Sequence, residues 1–183
     1  MRTLAASFFI SLDGVVEAPQ NWHFPYFNDE LGAVVGEAIA ASDAFMVGRR
    51  TYEEWAAYWP TEAAAESPMA TAMNATPKHV VSTTLDRVEW QNSTLLEGDL
   101  ATAVTELKAR PGNKIGISGS AALVRSLLEL GLVDELRLLV HPLVVGSGAK
   151  LFEHGTPPVS LELAAAEAFS SGVVDLTYRP VPA

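Results

Sequence analysis

The sequence predicts an α/β fold on one mixed, mostly parallel sheet, with helices on both faces and a C-terminal antiparallel hairpin. Three observations predict it. Strand-like and helix-like apolar patterns alternate along the chain. Several strands run straight into glycine- or hydroxyl-rich turns that open a helix, and the tail switches to two-residue alternation.

The first strand is "TLAASFFIS". From Asn28, an N-cap followed by acidic Asp29 and Glu30, the residues Leu31, Val34, Val35, Ala38 and Ile39 recur at helical spacing, so this helix packs one face on the sheet. "DAFMV" is a buried strand. Thr51 and Glu54 have capping-box spacing for the helix that carries Tyr52 and Trp55 and stops at Pro60. Residues 61–77 read as a loop holding one short helix begun by Ser67 and Pro68. "KHVVSTT" is the third strand. Leu100, Val104 and Leu107 mark a helix ended by "RPG", and "NKIGIS" is the fourth strand. Leu123, Leu127 and Leu130 mark a helix ended by Gly131, and "DELRLLVHPLVV" is the fifth strand. From Val159 the chain alternates through Leu161, Leu163 and Ala165, turns at "SSG", and alternates again through Val174, Leu176 and Tyr178.

Composition narrows the function. The 183 residues suit one domain, 1–183, with no repeat or low-complexity linker. Twelve Lys and Arg against 22 Asp and Glu give a net charge of -10, which opposes nucleic acid and anionic membrane surfaces unless cations are concentrated locally. Arg49 and Arg50 are such a concentration. Without cysteine there is no disulfide framework or thiolate site, which suits the cytoplasm. The opening stretch reads as a strand rather than a signal peptide, and no stretch approaches the roughly 20 apolar residues of a membrane span. His23, His79, His141 and His154 have no ligand-like spacing, so no metal site is expected.

Open α/β sheets bind ligands at the carboxyl ends of their strands. Three such ends carry phosphate-friendly chemistry. Gly48, Arg49, Arg50 and Thr51 open a helix, where free N–H groups and the dipole favour an anion and guanidinium groups add bidentate contacts. Ser82, Thr83 and Thr84 end the next strand, and Ser118, Gly119, Ser120 and Ala121 precede another helix. Each is also ordinary turn chemistry when taken alone. Neither the G-x-G-x-x-G nor the G-x-x-x-x-G-K-[ST] pattern occurs.

The segments "SLDGVVEAP" (11–19), "MVGRRTYEEW" (46–55), "VVSTT" (80–84) and "IGISGSAALVRSLLELGLVDELRLLVHPLVVGSGAKLF" (115–152) occur in the order of a known family. The chain resembles the dihydrofolate-reductase-like fold, and specifically the reductase domain of bacterial riboflavin-biosynthesis deaminase-reductases and its stand-alone relatives. The resemblance implies a three-layer fold that binds NADPH. Gly48 to Thr51 and Gly119, Ser120, Ala121 and Ala122 would lie on the pyrophosphate, and Ser82, Thr83 and Arg50 toward the adenosine 2′-phosphate. Arginine with hydroxyl donors is the chemistry that separates NADP from NAD.

On the substrate side, dihydrofolate reductases place an acid two residues after the Pro of a Trp-x-x-Pro turn. Here Trp22 and Pro25 are followed by Phe27, which argues against dihydrofolate reduction. Asp13 matches the riboflavin-type relatives and is the candidate catalytic residue, although Asp-Gly is also a common turn dipeptide. Trp22, Phe24, Tyr26 and Phe27 line a flat-ring pocket or serve as core, and the 13–25 segment looks like the loop that closes over nicotinamide. Proton delivery falls to Asp13, Glu17, His23 or water, while His79 and His141 read as packed within strands. Without cysteine the chain has no ligands for the family's zinc deaminase and is expected to be the reductase fold alone. The expected protein is therefore an NADPH-dependent reductase of a small heterocyclic or carbonyl molecule, pairing as a homodimer as relatives do. Ribosylamino-pyrimidine reduction, dihydrofolate reduction and a non-catalytic nucleotide-binding module are the alternatives.

Overall fold

The computed structural model describes residues 1–181; Pro182 and Ala183, the last two of the expected domain, lie outside the described residues. One eight-stranded sheet has the order β4-β3-β2-β5-β1-β6-β8-β7. Its strands are β1 (Thr3–Ser11), β2 (Ser42–Gly48), β3 (Lys78–Val81), β4 (Ser93–Leu96), β5 (Lys114–Ser118), β6 (Glu135–His141), β7 (Leu161–Ala168) and β8 (Val174–Pro180). The pairs from β4 across to β6 are parallel, and β8 runs antiparallel to both β6 and β7. The mixed sheet and terminal hairpin are thus as expected.

Alternation along β1 sorts the two faces. Leu4, Ala6, Phe8 and Ile10 join the main core with Val104 and Leu107 of α5 (Leu100–Ala109) and Leu123, Val124 and Leu127 of α6 (Ala121–Glu129). Full burial of each such aliphatic side chain contributes about 1.5–3 kcal/mol, so α6 docks through its apolar stripe rather than through propensity. On the opposite face Phe9 and Leu139 meet Leu31, Val34 and Val35 of α1 (Asp29–Ala41). Val47, Val80 and Trp90 meet Tyr52 and Trp55 of α2 (Arg49–Tyr58) on that same side. Asn28 caps α1, accepting from the Leu31 N–H at 3.0 Å.

Several local expectations are corrected. Thr51 is not an N-cap: α2 begins at Arg49 with Gly48 as its N-cap, and the Thr51 hydroxyl accepts from Ser120 Oγ instead. Residues 61–77 hold two short helices, α3 (Glu62–Ala65), capped by Thr61, and α4 (Ala70–Ala75). β3 ends at Val81 because Ser82 folds back to accept from the Thr84 and Leu85 N–H groups. β6 ends at His141, before Pro142, which lacks the N–H a ladder needs. The alternation in β7 breaks at a bulge between Leu163 and Ala165. β4 was not expected, since "STLL" is too short to show a period.

Candidate functional site

Register brings the three glycine- and hydroxyl-rich strand ends side by side. Gly48 pairs with Val81, so Ser82 follows immediately on the adjacent strand. On the other flank the Gly48 N–H donates to Ser120 Oγ (2.9 Å), and Ser120 Oγ donates to Thr51 Oγ1 (2.9 Å). Both hydroxyls are buried, so they tie the β2 and β5 ends together rather than face a ligand. Gly119 lies at φ +70°, and a Cβ there would sit 3.2 Å from Thr51 Cγ2 and Oγ1. Left-handed backbone and close approach together require glycine at this position.

Neither α2 nor α6 has a side-chain cap. Their first-turn N–H groups, from Arg49 and Arg50 on one side and Ala121 and Ala122 on the other, flank the same Gly48–Ser120 contact. Two uncapped N-termini on a glycine turn present N–H groups of the kind that suit phosphate oxygens. The cations divide. Arg49 is held along its helix by Glu53, with Nη1 at 2.9 and 3.2 Å from the carboxylate oxygens. Arg50 is exposed and makes no ion pair among the described residues. Thr83 is exposed, while the Ser82 hydroxyl is engaged in its own turn.

The other end lies at β1 and β6. There the Asp13 carboxylate accepts from Ser11 Oγ (2.7 Å) and from the Val145 (3.0 Å) and Gly146 (2.9 Å) N–H groups. Those three donors, Ser11 first, lower its pKa to about 2. Asp13 is therefore a carboxylate that clamps two loops. Glu17 adds a second clamp by accepting from the Ala149 N–H at 2.8 Å. The Val16 and Leu151 N–H groups complete the seam with Ala149 and Gly14 carbonyls.

Beyond this seam the 19–27 segment folds an aromatic box over the ends of β1 and β6. His23 stacks on Phe9 at 4.6 Å and 14°, and Phe24 lies on it at 4.2 Å. Trp22 and Tyr26 set their rings near perpendicular to His141 at 5.3 and 5.8 Å. Trp22 also donates its indole N–H to the Glu17 carbonyl (3.1 Å), and Phe27, 43% exposed, meets His23 near perpendicular. His23 and His141 are both buried. Desolvation, then the neighbouring His141, lowers the His23 pKa to about 4, and desolvation lowers that of His141. The expectation that His141 is packed within a strand passed over this role in the box; its position opposite Ser11 shows only once β1 and β6 are paired.

No helix of the described residues is long and apolar enough to cross a membrane. Among them, no group of three or more His, Asp or Glu side chains could hold a metal ion.

The fold recurs in proteins of known structure. A pyrimidine reductase-like protein of Corynebacterium diphtheriae superposes with a TM-score of 0.70 at 16% identity, covering 100% of this chain and 93% of that one. A diaminohydroxyphosphoribosylaminopyrimidine deaminase/5-amino-6-(5-phosphoribosylamino)uracil reductase of Thermotoga maritima gives 0.67 at 15% identity, over 98% of this chain and 57% of that one. A dihydrofolate reductase of Enterococcus faecalis complexed with NADP(H) gives 0.63 at 15%, over 98% and 97%. The fold is thus dihydrofolate-reductase-like. The model of the RibD C-terminal domain matches residues 2–174, and the chain belongs to that reductase-domain family.

Proposed function

We propose that the protein is an NADPH-dependent reductase acting on a small heterocyclic molecule, with a pyrimidine as the first candidate. The observation that carries this reading is the cradle at Gly119: a left-handed glycine against Thr51, flanked by two uncapped helix N-termini. A side chain at Gly119 would press on Thr51 and push the two helix starts apart, and the backbone N–H groups of those starts suit a pyrophosphate. Bound NADPH would supply the hydride. The chain's own part is to hold the cofactor and acceptor in register and to exclude water.

Within this reading the N–H groups of Arg49, Arg50, Ala121 and Ala122 hold the pyrophosphate, and Thr51 and Ser120 position the two helices that present them. Arg50, exposed and without an ion pair among the described residues, takes the 2′-phosphate together with the likewise exposed Thr83. Arg49 is engaged with Glu53 and contributes mainly its backbone. Phe27 offers no counter-charge for a protonated pterin, which favours the pyrimidine relatives over dihydrofolate. Titration with NADPH and NADH, followed by nicotinamide fluorescence, tests the proposal. Preferential binding of NADPH is expected, and no binding of either at high micromolar concentration overturns it.

We also propose that the chain pairs with a second copy through the β7 edge, where Leu163 is 51% exposed and Ala166 and Ala168 lie open on its side of the sheet. Light scattering should give twice 19.5 kDa; a 19.5 kDa particle overturns it.

A further inference from the structure

The aromatic box contains two buried polar atoms with no partner, His141 Nε2 and His23 Nδ1. Leaving such an atom unsatisfied costs about 1–3 kcal/mol, and folded proteins keep few. For His141 the tautomer follows from geometry. Its Nδ1 lies 2.8 Å from the Leu139 carbonyl, which can only accept, so Nδ1 carries the proton and Nε2 presents a bare lone pair. That lone pair belongs to a side chain with no exposed surface, walled by Phe9, Trp22 and Tyr26.

We infer that His141 Nε2 receives a ring N–H of the hydride acceptor, a planar, uncharged, uracil-type heterocycle, and that the His23 ring holds the acceptor's place until it arrives. The inference rests on the reductase reading above. His23 already lies as a flat ligand would, parallel to Phe9 on one side and under Phe24 on the other. The two imidazoles are 6.2 Å apart between ring centroids, within one heterocycle's reach.

The roof above them is lightly held. Pro19–Asn21 and Phe24–Tyr26 are single 3-10 turns of three residues each, the first entered through Ala18 at φ 44°. A left-handed alanine stores about 1–2 kcal/mol, and Phe24 is 63% exposed. Lifting this segment withdraws His23 and opens the face of Phe9 while leaving His141 fixed in β6. The box also selects by charge. The rings that wall the box, Phe9, Trp22, Phe24, Tyr26 and Phe27, carry no carboxylate, so a cationic base finds no counter-ion among them.

The test titrates NADPH-saturated protein with 5,6-diaminouracil, following heat and the side-chain ¹⁵N signals of His141. Binding should move the Nε2 signal upfield. His141→Phe should weaken binding about tenfold, the loss expected for one hydrogen bond, with His141→Gln restoring part of it through its carboxamide oxygen. His23→Ala should tighten binding by vacating the slot, and cationic 2,4-diaminopyrimidine should bind more weakly than diaminouracil. An unmoved Nε2 signal, equal affinity in His141→Phe, or preference for the cation overturns the inference. If His141→Phe does not fold, His141→Gln and His23→Ala decide. NADPH affinity should be unchanged in every variant; failure of NADPH binding in the unsubstituted protein instead overturns the reductase reading, and the diaminouracil titration is then read without cofactor.

Discussion

At the ends of β3, β2 and β5 the candidate site is made of backbone: a left-handed glycine, two helix N-termini and hydroxyls bonded to each other. At the ends of β1 and β6, one strand further on, it is made of side chains, with two buried imidazoles packed among phenyl and indole rings. The first region is shaped before any ligand arrives; the second is filled by the protein's own rings. The contrast fits the two tasks proposed above. A pyrophosphate is always the same and suits a rigid cradle, whereas an acceptor that must enter and leave suits a roof that moves.

The largest effect should come from breaking the rigid half. Gly119→Val puts a β-branched side chain at φ +70° against Thr51 and should weaken NADPH binding by about a hundredfold or more while destabilising the fold by roughly 2 kcal/mol. Fluorescence titration and denaturant unfolding measure the two losses. Arg50→Ala should cost NADPH about 1.5–3 kcal/mol, roughly ten- to a hundredfold, and leave NADH nearly unchanged. Equal losses for both cofactors would place Arg50 elsewhere. Ser120→Ala leaves the Gly48 N–H and Thr51 hydroxyl without their partner, and should lower stability by about 1–2 kcal/mol in chemical denaturation.

The self-filled half should respond to pH. His23 has a folded pKa of about 4 against 6.5 for the free side chain, so between those values the unfolded chain binds more protons. Its stabilisation is complete above pH 6.5, declines as pH falls, and levels off near 4. His23→Phe should flatten that part of a melting-temperature profile. Asp13 acts lower down: with a folded pKa of about 2 against 3.8, its contribution is present above 3.8 and lost as pH falls through 2. Asp13→Asn should give the smallest change, a shallower acid limb in the same profile. A parallel shift without flattening would show that the carboxylate's ionisation is not what joins the two loops.

How legible each half was follows from how far its chemistry reaches along the chain. The cradle is written in short consecutive runs, Gly48 to Thr51 and Ser118 to Ala122, whose meaning is local. Even there Thr51 was misread as a cap, because its partner Ser120 is 69 residues away. The box was harder. Its walls come from Phe9, from 22–27 and from His141, and a histidine inside an apolar strand pattern carries no signal of its own. Asp13 shows the same difficulty, since "DG" reads as a turn until Val145 and Gly146 are brought to its carboxylate.

By itself, then, the order of apolar periods and glycine turns determined the mostly parallel sheet, the helices on its two faces, the closing hairpin and the glycine- and hydroxyl-rich strand ends. These follow from rules that act within one element or across one turn. Tertiary structure alone decided that the Ser120 and Thr51 hydroxyls bond to each other, that Asp13 is a clamp, and that two histidines 118 residues apart share one box. Hydrogen bonds and ring contacts between distant segments depend on register and burial, and only the closed sheet specifies those.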